Sequence, residues 1–225
     1  MILEGITANF LGDSITAGYG TTDREKCVFH QIIKRECNLK EARNYGISGT
    51  RIAKQKTPST PKTHDLDFVL RAKDMENDAD LVVVFGGTND FGHGDAPLGK
   101  FSDTTQDTFY GALHVLYTLL IEKYPASKIV VMTPLHRTGE DSTRGGGSGN
   151  DYRKPEGSHP LIDYVNAIRE VAQYYSLPVI DLYSISTLQP NVAVIKQRYV
   201  PDGLHPNDDG HKVLANVIKN ALLSL

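Results

Sequence analysis

"ITANFLGDSITAGYG", residues 6–20, runs from an apolar segment straight into small and turn-prone residues. Ile6 to Gly12 is short, largely aliphatic or aromatic, and ends on glycine, the pattern of a strand covered on both faces. Gly12, Asp13 and Ser14 then place polar groups at the strand's carboxyl end. In an open parallel sheet, ligands bind beyond that end. Ser14 therefore has two readings: a cap for the helix that follows, or a hydroxyl held at the mouth of a site.

The pattern recurs along the chain. "DLVVVFGG" (80–87), "KIVVMTP" (128–134) and "LPVIDLY" (177–183) are apolar runs bounded by Gly, Pro or Asp, and "ARNYG" (42–46) is a weaker one. Helical periodicity falls between them. Phe109, Leu113, Leu116 and Leu120 share one face, as do Leu161, Val165, Ile168 and Ala172. Val213, Leu214, Val217, Ile218, Ala221 and Leu222 form a third stripe, and 25–37 and 65–75 are weaker helical segments. Strand and helix alternate, which predicts a three-layer α/β fold around a parallel sheet. No linker or repeat divides the chain, so residues 1–225 are expected to form a single domain. The exception is 136–159, a Gly/Ser-rich, charged stretch after a strand, expected as a long loop that is either a surface excursion or a lid.

Composition removes several classes. The net charge of -3 offers no basic field for nucleic acid or anionic lipid. No apolar stretch approaches the ~18 residues of a membrane span. The opening "MILEGITANF" is no signal peptide, so a cytoplasmic protein is expected. Cys27 and Cys37 are too few for a disulfide framework and read as reduced thiols, with a single disulfide left open. No HxH, HExxH or Cys/His cluster marks a metal site. Oligomeric state is not legible.

The strand ends carry the chemistry: "GDSIT" after the first, "NYGISGT" after the second, "GGTNDFG" after the third, and "PDGLHPN" before the last helix. Taken singly, each has a plain explanation as a cap or a turn. Together they supply the parts of serine acyl transfer: a hydroxyl, a base, an acid that orients the base, and donors for an oxyanion. Ser14 has the hydroxyl. Asp202 and His205 lie three apart, so one tight turn can bring the carboxylate to the imidazole Nδ1–H. Gly49 offers a backbone N–H, and Asn89 a side-chain amide. Of the other histidines, His93 is the reserve candidate for substrate contact. The GxSxG elbow, the P-loop and the dinucleotide fingerprint do not occur at these turns.

"GDSIT", "NYGISG", "GGTND" and "DGLHPN", in that order from Gly12 to Asn207, resemble the sequence blocks of the SGNH hydrolases, also called GDSL esterases/lipases. The resemblance implies a flavodoxin-like α/β/α sandwich with five parallel strands in order 2-1-3-4-5. It implies Ser14 as nucleophile and oxyanion donor, Gly49 and Asn89 as the other donors, His205 as base and Asp202 as its acid. It also implies no cofactor or metal. The first block reads GDSI instead of GDSL, an exchange of one aliphatic residue for another.

These residues point to a carboxylic ester hydrolase acting through an acyl-serine on a small-molecule ester. Asp13, Thr88, Asp90, His93 and Arg137 are the candidate substrate contacts. The hydrophilic 136–159 stretch favours short acyl chains, including those on sugars, over long-chain lipids. Lipase and thioesterase activities use the same machinery and stay open. The rivals are a non-catalytic carbohydrate-binding domain and a phosphate or flavin binder, though Asp13 would repel phosphate.

Overall fold

The computed structural model describes residues 1–141 and 159–225. Most of the loop expected at 136–159 lies outside them. The described elements run β1 (Thr7–Gly12), α1 (Ser14–Ala17), α2 (Phe29–Cys37), β2 (Glu41–Gly46), a 3-10 turn (Lys62–Asp65), α3 (Phe68–Asp74), β3 (Leu81–Phe85) and α4 (Thr88–His93). They continue with α5 (Phe109–Lys123), β4 (Lys128–Met132), α6 (Leu161–Tyr174), β5 (Val179–Ile180), α7 (Leu182–Ile185), α8 (Ala193–Tyr199) and α9 (Asp208–Ser224). The strands form one parallel sheet in order β2-β1-β3-β4-β5.

Alternation along each strand splits the core between the sheet's two faces. Leu11, Val82, Val84, Ile129 and Val131 pack under α3, α5 and α6. Ala8, Phe10, Leu81, Val83, Phe85, Val130 and Met132 pack under α2 and α9. The result is the three-layer α/β/α sandwich. The stripes on α5 and α6 are buried as their spacing predicts. On α9, Leu214, Ile218 and Leu222 are buried, while Val213, Val217 and Ala221 flank them half-covered.

Three local expectations change. Asp13, not Ser14, caps α1: its carboxylate accepts the Ile15 N–H at 3.0 Å. Asn207 is the N-cap of α9, taking the Gly210 N–H at 3.0 Å. The strand expected over 177–183 pairs only at Val179–Ile180, because it is an edge strand whose chain turns at Asp181 into α7. Asn89 and Asp90, readable as turn residues, belong to α4.

Register positions the site. Gly12 at the end of β1 is level with Gly46 on β2 and Phe85 on β3, so three strands stop in step. Gly46 permits a close approach: a Cβ there would stand 2.2 Å from the Ala17 nitrogen of α1. Arg71 on α3 then stitches the turns together. It donates to Gly12 O (3.1 Å), Thr50 Oγ1 (2.8 Å), Leu66 O (2.9 Å) and Tyr45 O. Burial brings its pKa down to about 10, against the pull of Asp13 and Asp67, so it stays charged at neutral pH. Replacing Arg71 with Met removes the fork and leaves buried acceptors unpaired. We expect a loss of at least about 3 kcal/mol in urea unfolding. A loss below about 1 kcal/mol would mean these acceptors find other partners.

Two buried histidines tie α1, α2 and α9. His30 Nε2 donates to Thr16 O at 3.0 Å, and His211 Nδ1 accepts the Phe29 N–H at 3.2 Å. The bond to Thr16 places a hydrogen on His30 Nε2, and the acceptor role of His211 needs a neutral ring. Burial lowers His30 to about 4 and, with the His30 charge, His211 to about 3. The unfolded chain therefore takes up their protons first. The stability they contribute is complete above about pH 6.5 and is lost as pH falls towards their folded values. Asp13, raised by burial to about 6, and Asp67, also raised by burial, act in the opposite sense, against His30, His211 and a third, half-buried histidine, His93, lowered to about 3. The urea midpoint should fall between pH 7.5 and 4.5. His211→Asn, whose amide oxygen can accept the same N–H without titrating, should flatten the decline. An equally steep decline in His211→Asn would remove His211 as a cause.

Candidate active site

The turns after β1, β2 and β3 converge with the loop before α9. Ser14 is the first residue of α1, where a helix leaves its N–H without an intrahelical partner. Its Oγ lies 2.9 Å from His205 Nε2, although the two are 191 positions apart. On the other side of the ring, His205 Nδ1 lies 2.6 Å from Asp202 Oδ2. Asp202 Oδ1 also accepts the N–H groups of Leu204 (2.8 Å) and His205 (2.7 Å), so the turn that carries the base is folded around its own carboxylate. Burial raises the Asp202 pKa, but the hydrogen bonds from the His205 ring and these two N–H groups outweigh it and bring it to about 2. The carboxylate is thus ionised at neutral pH, and the ring tautomer with Nδ1–H is the one that bonds to it.

This turn is pinned to the Ser14 side. Thr22 donates through N (2.9 Å) and Oγ1 (2.5 Å) to Asp208 at the start of α9. The Tyr19 ring stands 4.4 Å from the His205 ring and is half exposed, forming the rim of the cleft. The His205 side chain itself is only 12% exposed.

Gly49 and Asn89 lie on the segments that follow β2 and β3. Gly49 takes φ +76°, a conformation that side chains rarely adopt. Asn89 is buried on α4, and one of its amide hydrogens goes to Thr50 O at 3.0 Å, which ties the β3 turn to the Gly49 turn. An amide has a second hydrogen to donate.

Each of the five expected substrate contacts has a protein partner. Asp13 caps α1. Asp90 accepts the N–H groups of Ile52 (3.0 Å) and Ala53 (2.9 Å). Thr88 accepts from Arg137 Nη1 at O (3.0 Å) and Oγ1 (3.1 Å). Arg137 is 4% exposed with its guanidinium over the Phe91 ring, and burial lowers it to about 10, against the pull of Asp13, Asp202 and Glu140. His93 Nδ1 accepts from Arg51 Nη1 at 3.0 Å, and burial with the nearby Arg51 charge takes it to about 3. Their bonds brace the turns that carry Gly49 and Asn89.

Sequence reasoning missed Tyr19, Arg51, His64 and Arg71. Arg71 left a trace, because it lies on the α3 face shared by Phe68 and Ala72, where a charge is out of place. Tyr19 and His64 left none, since nothing local marks a loop ring that will meet a distant turn. Among the described residues, no group of three or more His, Cys, Asp and Glu could hold a metal ion, and no helix is long and apolar enough to cross a membrane.

Comparison with known proteins bears on the family and the fold. A protein from Lactobacillus plantarum is 30% identical, with a TM-score of 0.82 over 98% of each chain. A lipase/acylhydrolase from Enterococcus faecalis (24% identity, TM-score 0.59, 97% of this chain and 96% of that one) shares the fold. So does an acetyl xylan esterase (22% identity, TM-score 0.62, 96% of this chain and 100% of that one). No curated protein matches the chain. The pattern of the GDSL-like Lipase/Acylhydrolase family matches residues 10–213, from the end of the first strand into the last helix, and the chain belongs to that family.

Proposed function

We propose that the protein is a serine esterase that hydrolyses short-chain acyl esters, including those on carbohydrates, through an acyl-serine intermediate. The observation that carries this reading is the continuous Ser14–His205–Asp202 chain of hydrogen bonds, 2.9 and 2.6 Å long. Ser14 Oγ attacks the ester carbonyl carbon as His205 Nε2 takes its proton. Asp202 holds the ring through Nδ1–H and stabilises the imidazolium. The carbonyl oxygen becomes an oxyanion, met by the N–H groups of Ser14 and Gly49 and by the second hydrogen of Asn89 Nδ2. Collapse breaks the bond to the alcohol oxygen, which receives the proton from His205. Water, deprotonated by the same imidazole, then attacks the acyl-serine, releases the acid and restores Ser14.

The preference for short acyl chains follows from the surroundings. Thr88, Asp90, His93, Arg51 and Arg137 gather around the oxyanion side, and all but His93 are buried. A long apolar tail would find little there to cover it. An acetyl xylan esterase and a two-domain esterase active on acetylated mannans have this fold, which makes acetylated sugars the first carbohydrate substrates to try.

The test is a series of p-nitrophenyl esters from acetyl to palmitoyl, beside acetylated sugars and an acyl-CoA. Activity should be highest at the short end. A maximum at palmitoyl, or turnover of the acyl-CoA alone, would replace this reading with a lipase or a thioesterase. Ser14→Ala and His205→Ala should each abolish turnover with the thermal midpoint unchanged. Asp202→Asn should lower kcat by about 10⁴, because the amide favours the wrong tautomer. Asn89→Ala should cost about 10²–10³ in kcat. A near-normal rate for Asn89→Ala on p-nitrophenyl acetate would take that amide out of the oxyanion site.

A further inference from the structure

We propose that His64 limits the length of the acyl group, by filling the space beside Gly49 with its ring. This inference rests on the esterase reading. His64 sits in the 3-10 turn Lys62–Asp65, outside the four sequence blocks. A Cβ built on Gly49 would stand 2.1 Å from His64 Nε2, 2.3 Å from Cδ2 and 2.5 Å from Cε1. The imidazole therefore lies directly on the glycine assigned to the oxyanion. The His93 ring is 5.4 Å behind it.

The ring is held there by its neighbour. Asp65 accepts from Arg51 Nη2 at 3.0 Å and from Ser59 N at 2.8 Å. Arg51 also bonds Ser59 Oγ (2.6 Å) and His93 Nδ1 (3.0 Å), and its side chain is 3% exposed. A buried guanidinium fixed to three groups thus clasps the His64 turn onto the segment that follows Gly49. Burial and the Arg51 charge lower the His64 pKa, so at neutral pH the wall it presents is an uncharged ring.

The reaction geometry assigns this wall to the acyl side. The tetrahedral intermediate points its oxyanion at the three donors. Its leaving oxygen must face His205 Nε2 to receive a proton. The acyl chain takes the remaining direction, away from His205. His64 is packed on Gly49, one of the three assigned donors, whereas the ring packed on His205 is that of Tyr19. Tyr19 and Asp202 thus contact the base, and His64 contacts a donor, so the two rings act on different substituents of the reacting carbon.

The experiment keeps the leaving group constant and varies only the acyl chain. kcat/KM is measured on p-nitrophenyl acetate, butyrate and hexanoate for the wild type, His64→Ala, His64→Phe and Ser14→Ala. His64→Ala should raise the hexanoate-to-acetate ratio severalfold, because the ring that stops the chain is gone, though by less than the about tenfold per methylene of an apolar pocket. His64→Phe, which refills the volume without a polar atom, should keep the wild-type order. An unchanged ratio in His64→Ala, or the same shift in His64→Phe, would overturn the assignment while leaving the esterase intact. A wild type no faster than Ser14→Ala on every ester would overturn the esterase reading, and this inference with it. Asp65→Asn offers a second approach. It weakens the clasp without touching the ring, and should move the ratio in the direction of His64→Ala by a smaller factor. No movement would detach the clasp from selectivity.

Discussion

The site depends on three strands ending in step. Gly12, Gly46 and Phe85 are level across β1, β2 and β3, so the turns that follow all leave the sheet at one height. A one-residue slip would reverse the faces of every side chain on the slipped strand and bury the wrong set. Both faces of this sheet are covered by helices, so that penalty applies on both sides, and the register is strongly specified. Ser14, Gly49 and Asn89 inherit their mutual position from it.

That convergence brings charges into the protein. Asp13, Arg71, Asp90 and Arg137 are all buried within the turns at the strand ends. Moving such groups out of water costs several kcal/mol each, and only good hydrogen bonds offset it. The bonds run mostly to backbone atoms. Asp90 takes two N–H groups, Arg71 reaches three carbonyls, and Asp13 caps α1. Loops that would otherwise carry unsatisfied backbone groups are thereby stiffened. An oxyanion site needs this, because its donors must already be aimed when charge develops. The residues first considered as substrate contacts also carry hydrogen bonds within these turns.

Much of this was legible because the signals are local. The apolar runs of β1, β3 and β4 and the stripes of α5, α6 and α9 are period patterns, and periods survive in the sequence. Even β2, the weakest run, is flanked by glycine. The shortest elements were not legible. α4, α7 and α8 span six, four and seven residues, too few to show a period. β5 was read too long, since an apolar run does not reveal how many of its residues find a partner at the edge of a sheet.

By itself, the sequence determined the fold class, the order of the strand-end turns, and the Asp202–His205 pair. That pair is set by a three-residue spacing that one turn satisfies with its own N–H groups. The tertiary structure decided what stands opposite what. Ser14 meets His205 across 191 positions because β1 and α9 pack in one layer arrangement and Thr22 binds Asp208. His64 lies on Gly49 because a buried arginine holds its turn there. Contacts of this kind depend on distances between elements that only the assembled core sets, and no spacing along the chain encodes them.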